Sequence, residues 1–176
     1  MSIRSTLSKL PSPIKTAIQD RVYPKLLAEG ETAPEWHLQA QDDSWHRQGK
    51  HWSVMFFFTD GRASPDQEEL AAFQQYLPEF QRLGVKVFGL TNQETWTNAD
   101  LVKDQGLGFP ILTDRGGSVA RLFRACLQLP IKPLYLRVVY LVNPERKVRL
   151  ANRGTPSVEA IVRSVEALQK ATKAGM

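Results

Sequence analysis

An α/β sandwich on a mixed central sheet is the fold class this sequence predicts, and three observations predict it. From Gly30 onward, short apolar runs of strand length alternate with segments of helical period. The run Val54-Met55-Phe56-Phe57-Phe58 is continuously apolar, as a strand covered on both faces must be. The chain then closes with a hairpin and one amphipathic helix, which adds antiparallel strands to parallel ones. A length of 176 residues suits one such domain with a substantial core.

Each element has its local reason. Ser12-Pro13 reads as an N-cap followed by proline at the first helical position, and Ile14, Ala17, Ile18 and Val22 recur at helical spacing. That helix must end near Tyr23, because Pro24 disfavours a helical residue before it. We therefore divide the chain into an N-terminal extension, 1–29, with a short basic amphipathic helix, and a domain, 30–176. Within the domain, Trp36 and Leu38 alternate with polar neighbours as a first strand. Asp42-Asp43-Ser44 turns the chain back into Trp45 to Arg47. After the buried strand, Asp66 to Leu83 has helical period, with Leu70, Phe73, Leu77 and Phe80 on one side and Pro78 as an interruption. Val85 to Leu90 is the next strand, Thr97 to Gln105 a helix ending near Gly106, and Ile111-Leu112 a short strand. Ser118 to Arg124 is helical. Arg137 to Val142 pairs with Lys147 to Asn152 across Asn143-Pro144-Glu145-Arg146, and Ser157 to Thr172 turns Ile161, Val165 and Leu168 inward.

Composition removes several classes of function. No apolar run approaches the roughly twenty residues of a membrane-spanning helix, and the first residues lack a signal-type apolar stretch. Cytoplasm is the expected location. A single cysteine, Cys126, excludes an internal disulfide. The net charge of +5 is partly localised: Arg4, Lys9, Lys15, Arg21 and Lys25 face one acid, Asp20, before Glu29. Arg146, Lys147, Arg149 and Arg153 form a second group. Such charge suits an acidic protein partner docking on the extension. Nucleic acid is not expected, since no stacking or nucleic-acid motif accompanies the charge. A basic amphipathic helix also suits a membrane surface, though packing over the domain's own core is the simpler reading. His37, His46 and His51 share no metal-ligand spacing, and no phosphate loop or nucleophile elbow is present, so neither metal nor cofactor is expected. Trp36, Trp45, Trp52 and Trp96 are read as packing residues, with any exposed one a partner anchor.

Four segments in series carry a family resemblance. Gly30-Glu31-Thr32-Ala33-Pro34-Glu35-Trp36-His37-Leu38 is similar to the G-x-x-A-P-x-F-x-L opening of the peroxiredoxins. Gly84-Val85-Lys86-Val87-Phe88-Gly89-Leu90 resembles their G-V-x-V-x-G-I strand, and Gly106 to Asp114, with Gly117, Val119 and Ala120, their G-L-x-F-P-L-L-S-D-x-x-G-x-V-A segment. Arg137 to Pro144 resembles R-x-T-F-L-I-D-P. The nearest subgroup is the bacterioferritin-comigratory type of the alkyl hydroperoxide reductase/thiol-specific antioxidant superfamily. The resemblance implies a thioredoxin-like, peroxiredoxin-type three-layer sandwich carrying an N-terminal helical extension. Because peroxiredoxins often dimerise, it also implies a homodimer.

Peroxiredoxin chemistry rests on P-x-x-x-T-x-x-C and an arginine from a distant strand. A thiolate there is stabilised by free N–H groups and the dipole of a helix N-terminus. The threonine and arginine orient the peroxide and stabilise charge as the O–O bond breaks. Aligned without gaps, this chain offers Thr59 for the proline, Ala63 for the threonine and Asp66 for the cysteine; only Arg137 matches. Sliding the loop by one residue puts Gln67 in the cysteine's place. Either way the sulfur is missing.

Two readings of Asp66 stand side by side. In one, Ser64 is an N-cap, Pro65 the first helical residue and Gln67 the third, so that Asp66 is an acidic first-turn residue in a capping box. In the other, the carboxylate keeps the charge a thiolate would carry and pairs with Arg137, as in an oxidised peroxiredoxin. The first expected function is a non-catalytic binding, scaffolding or regulatory module. The second is a noncanonical thiol peroxidase that recruits Cys126, with Arg121, Arg124 and Lys132 close in sequence to lower its pKa.

Overall fold

The computed structural model describes residues 11, 13–14, 23–127, 129–131, 133–154 and 156–175. Its strands are β1 (His37–Ala40), β2 (Trp45–Arg47), β3 (Trp52–Phe57), β4 (Val85–Thr91), β5 (Ile111–Thr113), β6 (Cys126–Leu127), β7 (Leu134–Tyr135), β8 (Val138–Val142) and β9 (Val148–Arg153). The helices are α1 (Asp66–Gln75), α2 (Leu77–Arg82), α3 (Thr95–Gln105), α4 (Ser118–Leu122) and α5 (Val158–Ala174). Seven strands form one sheet in the order β2-β1-β5-β4-β3-β8-β9, and β6 and β7 form a separate ribbon. β3 and β5 run parallel to β4, whereas β8 is antiparallel to both β3 and β9. The mixed sheet results from the connections: helices return the chain in parallel, and tight turns return it antiparallel.

Strand alternation divides the core into two layers. Val54, Phe56 and Phe58, with Val139 and Leu141, pack beneath α1, α2, α3 and α5 through Leu70, Phe73, Phe80, Leu101, Ile161 and Val165. Met55, Phe57, Val138, Tyr140 and Val142 face the other way. There they meet Val119 from α4 and Phe123 just after it, Cys126 and Tyr135 from the ribbon, and Leu27. This is the three-layer sandwich.

Two expectations are corrected, and one element is new. The helix over Asp66 to Leu83 is two helices, broken at Tyr76; Pro78 sits in the first turn of α2, where its missing N–H costs nothing. The Ser64 capping box does not form, because α1 begins at Asp66 with Pro65 at the cap position and the Ser64 hydroxyl bonds the Glu68 side chain instead. The segment after α4, to which the sequence reading assigns no element, holds the β6–β7 ribbon.

The N-terminal amphipathic helix falls almost wholly outside the described residues. From Tyr23 onward the extension is packed onto the domain. Leu27 is buried, its N–H donates to the Tyr140 hydroxyl, and Arg153 donates to the Pro24 carbonyl while lying over the Tyr23 ring. The second basic group is similarly engaged. Arg146 donates to the Ala33 carbonyl, Lys147 to Thr32 Oγ1, and Arg149 pairs with Glu29. These cations bind residues 23–33 to β9 and its turn.

Candidate functional site

The site is built where β3 ends and α1 begins. Parallel pairing with β4 carries β3 to Phe57, and Phe58 still donates to the Leu90 carbonyl. Thr59 to Pro65 then cross to α1 as a loop, closed by Ala63 N–H on the Asp60 carbonyl. Asp66, the first residue of α1, is buried and turns its side chain back under this loop. Its Oδ2 accepts from Thr59 N–H, Thr59 Oγ1–H and Asp60 N–H, each at 2.9 Å. Its Oδ1 lies 2.6 Å from Nε of Arg137.

Arg137 precedes β8 by one residue, so it projects to the same side of the sheet as Val139 and Leu141, toward α1. Its Nη2 reaches Oε2 of Glu69 at 3.2 Å. Glu69 stands three residues after Asp66, on the same helical face, and is likewise buried. Burial pushes its carboxyl from 4.5 up to about 7; Arg137 opposes that rise and Asp66 adds to it. The site is thus two carboxyls and one guanidinium, the carboxyls on the buried side of α1 that also carries Leu70 and Phe73.

Of the residues singled out from the sequence, Thr59, Asp66 and Arg137 come together. Ala63 is exposed on the loop and brings no functional group. Cys126 is a buried thiol on β6, paired in register with Tyr135 and packed in the layer that holds Val138 and Tyr140. Arg137 points its guanidinium into the opposite layer, so the sheet lies between the two groups. Tyr135 donates to the buried Asp114, which also accepts from the N–H groups of Val119 and Ala120. Burial first, then Asp114, then Cys126 push the Tyr135 phenol well above its ordinary range.

Glu69 is the site residue that sequence reasoning missed. It reads as one more acid of a charged first turn, although its i, i+3 relation to Asp66 on the face carrying Leu70 and Phe73 marks it as inward.

Other candidate groups lie elsewhere. His37 packs on Trp45 with ring centroids 4.8 Å apart, and His46 bonds Ser44 Oγ. Among the described residues no group of three His, Cys, Asp or Glu side chains is placed to hold a metal. A groove of about 900 Å³, lined by Trp36, His37, Arg47, Lys50 and Arg146, opens at the end of the sheet remote from Asp66. Trp36 is buried, whereas Trp45 and Trp96 are exposed. No helix among the described residues is long and apolar enough to cross a membrane.

Known proteins share this frame. The AhpC/TSA family matches residues 30–151. Peroxiredoxin PRX1, mitochondrial, of Saccharomyces cerevisiae is 27% identical over 145 residues, covering 73% of this chain and 56% of the yeast protein. Peroxiredoxin Bcp of Xanthomonas campestris is 25% identical over 125 residues, 63% of this chain and 76% of its own length. A Treponema denticola peroxiredoxin is 32% identical over 133 residues, 69% of this chain and 62% of its own length. The chain therefore spans less than two thirds of two of these three relatives. In fold, the crystal structure of peroxidoxin BcpB from Mycobacterium tuberculosis superposes with a TM-score of 0.75 at 19% identity, over 80% of this chain and 97% of that one. The family match over most of the domain, together with these relatives and this likeness of fold, leaves one placement: the chain belongs to the AhpC/TSA family, alongside its bacterioferritin-comigratory-like peroxiredoxins.

Proposed function

We propose that this chain is a non-catalytic member of its family that serves as a binding or regulatory module. The observation that carries this reading is the Asp66 carboxylate, held by Thr59 and Asp60 on one oxygen and by Arg137 on the other. A carboxylate is a poor nucleophile toward peroxide, and it occupies the arginine that would stabilise the breaking O–O bond. The charge that a thiolate would bring is present, but it stays fixed in one covalent state. The site then serves to hold the β3–α1 junction in a single conformation that a partner can read.

The rival reading, a peroxidase working through Cys126, has the geometry against it. That thiol is buried, and the sheet separates it from the Arg137 guanidinium. Low-pKa, reactive cysteines sit in partly exposed electropositive surroundings. We further propose that the partner is an acidic protein engaging the basic N-terminal extension.

Peroxide consumption by the purified protein, with several thiol reductants, tests the first claim. The expected result is no turnover in the unmodified chain and none in Cys126→Ala. Turnover that disappears with Cys126→Ala overturns the reading in favour of the thiol peroxidase. The variant Asp66→Cys is expected to gain at most weak turnover, because Ala63 supplies no hydroxyl to orient the peroxide.

A further inference from the structure

We propose that Glu69 is the proton-carrying member of the Asp66–Arg137–Glu69 cluster, so that the folded chain takes up a proton there on passing from mildly alkaline to mildly acidic solution and is more stable in the acidic range. The inference concerns how the site responds to pH and stands whether or not the proposed binding role is correct.

The charge balance of the cluster requires it. Two carboxyls face one guanidinium, with side-chain exposures of 4% for Asp66, 1% for Glu69 and 15% for Arg137. One cation neutralises one anion, and a second anion buried in the same space is costly. The hydrogen bonds say which carboxyl yields. Asp66 has donors or cations at both oxygens. Glu69 has a single contact, from Arg137 Nη2 at 3.2 Å, and its Oε1 is buried with no hydrogen-bond partner. An oxygen in that position is less costly as part of a neutral acid than of an anion.

The charged groups acting on Glu69 are Arg137, ahead of β8, and Asp66, one turn earlier on α1. Helix α5, packed against α1, turns Val158, Ile161 and Val162 into this layer and keeps its Glu159–Arg163 pair on its exposed side. Burial outweighs the attraction of Arg137, and the carboxyl titrates at about 7 rather than 4.5. A carboxyl whose folded value is raised binds more protons folded than unfolded. Its stabilising effect is therefore complete below the unfolded value of 4.5 and is lost as pH rises through about 7.

The test combines carbon-detected NMR titration of the glutamate side-chain carboxyls with urea unfolding of the full chain between about pH 5 and about pH 8. Glu69 is expected to titrate near 7, well above the exposed glutamates, and Asp66→Asn is expected to lower its midpoint by removing the opposing charge. The unfolding equilibrium constant of the unmodified chain is expected to rise across this range on the order of a hundred-fold more than that of Glu69→Gln. A Glu69 midpoint among those of the exposed glutamates overturns the proposal, as do parallel pH profiles for the two proteins. Should Glu69→Gln fail to fold, the titration of the unmodified chain decides alone.

Discussion

Asp66 concentrates more polar contacts than any other side chain at the β3–α1 junction, and its removal tests how far the junction depends on it. In Asp66→Ala, the Thr59 and Asp60 N–H groups lose their acceptor and Arg137 loses the carboxylate beside its Nε. Breaking one partner of a buried ion pair costs about 3–5 kcal/mol, because the other charge stays buried. We expect a loss of that size in urea unfolding at neutral pH, and a smaller one for Asp66→Asn, which keeps an acceptor oxygen. At this scale the sequence is half legible. The aspartate can be aligned to the cysteine position and Arg137 to the arginine, because both lie inside short motifs. Glu69 cannot be weighed, since its role depends on an arginine 68 residues away and on burial that a charged helix start disguises.

Among the elements, β4 places the tightest demand on one residue. Gly89 lies between the rings of Phe56 and Phe58 and the end of Ile111; a Cβ there would meet Ile111 Cδ1 at 2.7 Å and Phe56 Cζ at 3.0 Å. Phe56 in turn stacks on Phe73 with centroids 4.3 Å apart, so it has little freedom to withdraw. Gly89→Ala is expected to cost about 1–3 kcal/mol through overpacking, read as a lower urea midpoint with an unchanged slope. Elements of this kind are legible because a continuous apolar run or a helical stripe is set by burial alone, as with Val54 to Phe58 and Ile161, Val165 and Leu168. The β6–β7 ribbon is not. Each of its strands has two residues, too few to show a period, and Pro130 and Pro133 between them read as loop. The break between α1 and α2 falls two residues before Pro78, since a proline is accommodated in the first turn of a new helix as readily as it ends an old one.

For the molecule as a whole, packing onto the domain reaches back into the extension ahead of Gly30. Leu27 joins the layer of Phe57, Phe123 and Tyr140, whose hydroxyl, pushed up to about 12 chiefly by burial, accepts from the Leu27 N–H. Leu27→Ala is expected to cost about 2–4 kcal/mol in urea unfolding. Deleting residues 1–22 leaves these contacts intact, whereas deleting 1–29 removes them. We expect the longer deletion to lose at least as much stability as Leu27→Ala. A partner bound through the extension should be released by the shorter deletion alone.

The segment just after Leu27 has a separate effect on the rim of the sheet. Gly30 and Glu31 exchange main-chain hydrogen bonds with Val148, and Ala33 donates to the Arg146 carbonyl, so the outer side of β9 is already occupied where it begins. The opposite rim is β2, only three residues long. A neighbouring molecule meets a border covered at its start on one side and a very short one on the other, which limits the backbone on which an intermolecular β-stack could nucleate.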